Sequence, residues 1–355
     1  MLKKISVIML SLIMVLCMFA GCGSESGSNI SNSSERISSE SNNNESNSSE
    51  EHTDNEKEYV SAEYNVAVLK GPTAIGFIKL WNDSDNNVSN NKYNFTAYGM
   101  ADEITAGIIK DEIDIAAVPC NLASVLYNKT GGKIKIVAIN TLGVLYMLSD
   151  DESIKSVSDL KGKTIYTTGQ GTTPEYTLNY ILEKNGLTVG EDVKVEYKSE
   201  ATEVAAVMSK MEGAVAMLPQ PYVTSVLENN EKMKLVLDMT DEWNKVSEGE
   251  LITGVVIVRN EILESNKEAF EKFMEEYKLS TEYANNNVDS AAEMVASKDI
   301  FKAEVAKKAI PYCNIVFMDG DTMKENVQGY LNVLNSANPQ SVGGKMPEEE
   351  FYYIK

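Results

Sequence analysis

Histidine is almost absent: the 355 residues contain one, His52, set among serine, asparagine and glutamate. Histidine-based general-base catalysis, Ser-His-Asp and Cys-His arrangements and histidine metal sites are therefore excluded from the rest of the chain. Arginine is nearly as scarce, with Arg36 in the same polar stretch and Arg259 far downstream. A planar two-pronged clamp on carboxylate or phosphate is correspondingly hard to build. Four cysteines occur. Cys17 and Cys22 lie at an apolar N-terminal run, which leaves Cys120 and Cys313, expected as small buried free thiols. The formal charge of −21 points away from nucleic acid, because phosphate binding needs a basic face.

Long apolar runs are also missing, apart from residues 5–20. Preceded by Lys3 and Lys4, that run is too short for a comfortable membrane span and reads as the core of a secretory signal. Phe19-Ala20-Gly21-Cys22 resembles the lipobox of a bacterial lipoprotein, with Phe19 where an aliphatic residue is usual. That resemblance implies a signal peptide over residues 1–21 and a lipid on the Cys22 thiol, anchoring the chain to the outer face of the bacterial cytoplasmic membrane. Of residues 23–57, nineteen are Ser or Asn and almost none is apolar. Such a composition cannot offset its ordering entropy, so residues 22–58 are expected to form a disordered tether. Its end-to-end distance would be roughly 30–35 Å.

Beyond Tyr59, strand-like and helix-like segments alternate, which predicts an α/β fold with mostly parallel sheets. "NVAVLK", an apolar-periodic stretch from the Gly71-Pro72 turn to Trp81, "NFTAYG", "ADEITAGIIKDE", "IDIAAVP", "NLASVLYNK" and "IKIVAINT" follow in order. The same order then recurs as "KTIYTTG", "PEYTLNYILEKNG", "VKVEYK", "EVAAVMSKMEG", "AVAMLP", "YVTSVLENN" and "MKLVLDMT". An offset of one hundred residues aligns the halves without a gap, setting Gly71 on Gly171, Thr73 on Thr173, Ala116 on Ala216 and Pro119 on Pro219. Two similar lobes are predicted, the first from residues 59–147 with 252–340 and the second from 148–251, with 341–355 as a C-terminal tail. Two crossings, near residues 145–150 and 243–253, would join them like a jaw.

Ligands of open α/β sheets bind beyond the carboxyl ends of the strands. Four strand-to-helix turns offer candidates. They carry Gly71, Pro72 and Thr73; Pro119, Cys120 and Asn121; Gly169, Gln170, Gly171, Thr172 and Thr173; and Gln220, Pro221 and Tyr222. Thr141, ending "IKIVAINT", joins them. Thr and Asn at helix starts are ordinary caps, but free N–H groups there also favour an anionic or strongly polar group. Gly169-Gln170-Gly171 lacks the Lys-Ser/Thr end of a P-loop and the full dinucleotide spacing. Tyr222 and Trp243 could stack on a flat ligand or simply pack. The turns hold no carboxylate pair for glycosidase-type chemistry.

"LKGPTAIG", "IDIAAVPCNLASVLY", "DLKGKTIYTTGQGTTPEYTLNYIL" and "AMLPQPYVTSVL" resemble the lipid-anchored solute receptors of ABC importers, in the nitrate/sulfonate/taurine-type periplasmic-binding class. The resemblance covers roughly residues 62–340. Gln220-Pro221 stands where that family usually has Glu-Pro. The resemblance implies a two-lobed fold whose hinged cleft captures a small anionic or polar solute and delivers it to membrane permease subunits. No bond is made or broken, and no cofactor or nucleic acid is expected. A sulfonate, a small oxyanion or a neutral heterocycle fits the Arg-poor turns better than a phosphate-rich solute. Relatives of this fold that make thiamine pyrimidine or act in cofactor synthesis supply an alternative enzymatic expectation, and a surface sensor or adhesin a third.

Overall fold

The computed structural model describes residues 59–355; the expectations for the signal peptide, Cys22 and the 22–58 tether lie outside the described residues. The first lobe opens with β1 (Glu63–Leu69), α1 (Pro72–Ile75), α2 (Ile78–Asp85), β2 (Lys92–Tyr98) and α3 (Ala101–Ile109). It continues with β3 (Ile115–Pro119), α4 (Cys120–Thr130) and β4 (Ile134–Thr141). The chain then leaves for the second lobe through β5 (Leu145–Ser149), β6 (Thr164–Thr167), α5 (Thr173–Lys184) and β7 (Lys194–Tyr197). There follow α6 (Ala201–Met208), β8 (Val215–Pro219), α7 (Tyr222–Asn229), β9 (Lys234–Asp238) and α8 (Met239–Asn244). The return passes through β10 (Gly254–Arg259), α9 (Asn260–Ser265), α10 (Lys267–Asn286) and α11 (Val288–Ser297). It ends in α12 (Ala303–Ala309), β11 (Ile315–Met318) and α13 (Gly320–Ala337).

The offset seen in the sequence is an offset of elements. Ala101 and Ala201 open α3 and α6, Ile115 and Val215 open β3 and β8, and Ile134 and Lys234 open β4 and β9. The sheets follow the same rule. The first has the order β11-β4-β10-β3-β1-β2 and the second β7-β6-β8-β5-β9. Setting β11 aside, each strand of one sheet has a counterpart at the same place in the other. In the middle of each sits a strand from the far side of a crossing: β10 pairs antiparallel with β3 and β4, and β5 pairs antiparallel with β8 and β9. Pairs β1–β2, β1–β3, β6–β7 and β6–β8 are parallel. Four strands of each sheet therefore share one direction. Only β10 and β11 run against it in the first sheet, and β5 in the second.

Sheet 1 is covered on both faces, which is why its central strands read as unbroken apolar runs. In β3, Ile115 and Ala117 join one core while Ala116 and Val118 join the other; in β10, Val256 and Val258 alternate with Val255 and Ile257. Edge strand β2 alternates more loosely, its outward residues exposed.

The first crossing is residues 142–144, earlier than expected. All of β5 pairs within the second sheet, so a boundary at 147 would divide a strand. The second crossing, residues 245–253, falls inside the expected window. Residues 341–355, the expected C-terminal tail, pack against the first lobe. Ser341, Val342 and Phe351 are buried, Phe351 packs on Tyr127, and Tyr353 N–H donates to the Ile136 carbonyl.

Candidate functional site

The carboxyl ends of both parallel sets face a cavity of about 1030 Å³. From the first lobe, Gly71, Pro72, Thr73, Pro119 and Thr141 line it; from the second, Gly169, Gln170, Thr172, Thr173 and Tyr222. Ten expected positions are thus brought together from separate turns. Pro119 ends β3, and Gly71 reaches φ 151, a backbone conformation that favours glycine, where β1 turns into α1.

Five expected residues lie outside the lining, each for a local reason. Cys120 is fully buried as the first residue of α4, and burial pushes its thiol pKa up. It is a packed thiol. Asn121 is also fully buried and ties three segments: its Nδ2 donates to the Gly171 carbonyl at 3.3 Å and the Ser341 carbonyl at 3.0 Å, and its Oδ1 accepts from Thr173 at 3.3 Å. Gly171 supplies that carbonyl and sends its own N–H to Glu175 rather than to the cavity. Gln220 folds over the start of α7, where its Oε1 accepts from Thr224 N–H at 3.2 Å and from the Thr224 hydroxyl at 2.8 Å. Pro221, joined to Gln220 by a cis peptide bond, is the N-cap of that helix. Trp243 is no stacking platform either: it is fully buried between Tyr180 and Tyr330, and its indole N–H donates to the Gly249 carbonyl at 2.9 Å. Cys120 and Cys313 are both free and buried.

Thr73, Thr141, Thr172 and Thr173, four of the eight threonines that line the cavity, donate their hydroxyl hydrogen to the chain itself. Thr73 Oγ1 donates to the Leu69 carbonyl at 3.1 Å, Thr141 to Asn140 Oδ1 at 2.9 Å, Thr172 to the Gly169 carbonyl at 2.7 Å, and Thr173 to Asn121 Oδ1. Sequence reasoning missed the turns after β2 and β7. Tyr98, Asp102 and Glu103 line the cavity from the first lobe, and Tyr197, Lys198 and Glu200 from the second. "NFTAYG" and "VKVEYK" read as strands with no turn chemistry of their own, yet they occupy matching places in the repeat, and that match was the available signal. Thr253 was missed as well. It lines the cavity at the second crossing, and its Oγ1 is buried without a hydrogen-bond partner.

Tyr222 packs edge-to-face on Phe301 of the first lobe, with ring centroids 4.9 Å apart. Burial, then the nearby Glu200 carboxylate, raises its phenol pKa. Tyr197 is raised in the same way by burial and Glu175. The two lobes come close at the mouth, where Glu200 Oε1 lies 3.7 Å from the point a Cβ on Gly99 would occupy.

The architecture defines the class: a two-lobed periplasmic-binding-protein-like fold with mixed α/β lobes, each holding in the middle of its sheet the antiparallel strand that follows a crossing. The sequence model described as "NMT1/THI5 like" matches residues 136–291. An ABC transporter structure from Parabacteroides distasonis is 26% identical with a TM-score of 0.67, covering 82% of this chain and 99% of that one. The periplasmic aliphatic sulphonate binding protein SsuA of Escherichia coli is 12% identical, TM-score 0.65, over 82% of this chain and 92% of its own. The periplasmic nitrate-binding protein NrtA of Synechocystis is likewise 12% identical, TM-score 0.58, over 79% and 84%. A Brucella abortus protein described as a binding protein is 26% identical over 233 residues, 63% of this chain and 70% of that protein. The chain is similar in fold to the sulphonate- and nitrate-binding proteins and in sequence to the NMT1/THI5-like model.

Proposed function

We propose that the protein is an extracytoplasmic solute receptor of an ABC importer, held at the membrane by a lipid on Cys22. Its lobes close on a small polar solute, which it hands to the permease subunits without chemical change. One observation carries this reading: two lobes of matching strand order, joined by two crossings, each supply half of one cavity. A cavity of about 1030 Å³ is at the upper end of small-molecule sites, as suits a cleft that narrows when hinged domains close. The solute-binding names carried by the structural neighbours agree with it. Native mass spectrometry of the full chain incubated with yeast-extract metabolites tests the proposal. It is expected to show a one-to-one complex that releases its solute at unchanged mass; a released product of different mass would favour an enzyme.

A further inference from the structure

We propose that the lobes are hinged like a book along one face, and that two contacts on the opposite face form a clasp that sets how long a solute is held. The clasp is Tyr222 against Phe301 together with the Lys308–Glu228 ion pair. The proposal rests on the receptor reading of the same cleft and adds positioning residues to it. The hydrophobic cores decide which face is the spine. One core runs from Ile136 and Ile257 of the first lobe to Ile165 and Trp243 of the second, through Val327, Tyr330 and Leu334 on the buried side of α13. Helix α4 packs in the same core, and its Asn121 adds hydrogen bonds to Gly171 and Ser341.

On the other face each lobe has a core of its own. Ala117, Val256 and Phe273 belong to one within the first lobe, and Leu148, Leu218 and Val223 to one within the second. Phe301 packs on the edge of the former and Tyr222 on the edge of the latter, and the two rings meet between the lobes with centroids 4.9 Å apart. On the same two segments, Lys308 Nζ of α12 lies 2.5 Å from Glu228 Oε1 of α7. The Tyr146 hydroxyl also reaches the Tyr312 carbonyl at 3.2 Å, but it does so next to the first crossing. Magnitude separates the two faces. Opening the α13 face would return a shared apolar core to water, against the term that dominates folding itself. Opening the other face breaks an edge-to-face ring contact and a surface ion pair, and such pairs hold little and are screened by salt. The second face gives first. Tyr222 and Phe301 both line the cavity, so a solute packed on the rings keeps the clasp shut. Lys308 and Glu228 lie outside the lining and act only by holding α7 and α12 together.

The test follows release of yeast-extract metabolites from the full chain: the one-to-one complex is isolated and diluted, and its decay is read by native mass spectrometry. Lys308→Glu and Glu228→Lys each set like charges face to face, and each is expected to speed release about fivefold, the scale of a surface pair. The double exchange restores opposite charges and should return the rate to that of the parent protein. Thermal unfolding of the solute-free protein should change little in all three, because no core is touched. Parent-like release from both single variants overturns the clasp while the receptor reading stands. So does fast release that the double exchange fails to rescue, or a fall in Tm that tracks the release rate, since either marks general destabilisation. If the parent chain forms no complex, the receptor reading fails and the clasp with it.

Discussion

Asn121 shows how much a single residue's position in a turn leaves open. The sequence places it correctly at the end of a buried strand and the start of a helix, in the turn following Pro119. Turn chemistry marks where the chain reverses, but not which side of the first helical turn faces the cleft. In the folded protein Asn121 looks inward and binds the β6–α5 turn of one lobe to the C-terminal segment packed on the other. Gln220 repeats the lesson, since an amide that could have met a ligand instead caps its own helix. Replacing Asn121 with Ala strands the buried Ser341 carbonyl and the Thr173 hydroxyl and frees the carbonyl of exposed Gly171, and each lost partner costs about 1–3 kcal/mol where water cannot enter. Asn121→Ala is therefore expected to lower the urea midpoint substantially with an unchanged slope. A midpoint matching the parent protein would show that these bonds contribute little.

At the scale of elements, the one-hundred-residue offset was legible because strands and helices recur in one register, and the structure keeps that register across both sheets. The central antiparallel strands were not. β5 and β10 are ordinary apolar runs, and nothing in their composition says that each lies antiparallel in the middle of a sheet. The β2–α3 and β7–α6 turns were passed over because they lack glycine-rich signatures, although they form the two lips of the cleft. Their closeness gives a direct handle on motion between the lobes. A Gly99→Cys, Glu200→Cys pair is expected to be bridged by a short bifunctional methanethiosulfonate, since the tip of the Glu200 side chain already reaches the Gly99 position across the mouth. The bridged protein should exchange solute at least tenfold more slowly, and dithiothreitol should release the bridge and restore the rate. Equal exchange before and after release would mean that the lobes do not gate the cavity.

For the molecule as a whole, the repeat makes a cavity whose two walls are built alike and can be tilted together about the short crossings. Asn121 and α13 bridge the lobes: Tyr330 of α13 packs at a tilt on Trp243, ring centroids 5.4 Å apart, and its hydroxyl lies 3.4 Å from that of Thr177. A second bridge joins α7 to the first lobe, through Tyr222 against Phe301 and the Lys308–Glu228 ion pair. Fold class was readable from alternation and repetition, and the location of the cleft from strand ends. The partners of the cleft side chains were not readable, because Asn140 and Leu69 meet Thr141 and Thr73 only in three dimensions. A crystal structure of the protein with the metabolite that stabilises it tests the central claim most directly. The account predicts density between the lobes, within hydrogen-bond reach of threonine oxygens from both. Density on an outer face, with the interlobe cavity holding only water, would contradict it.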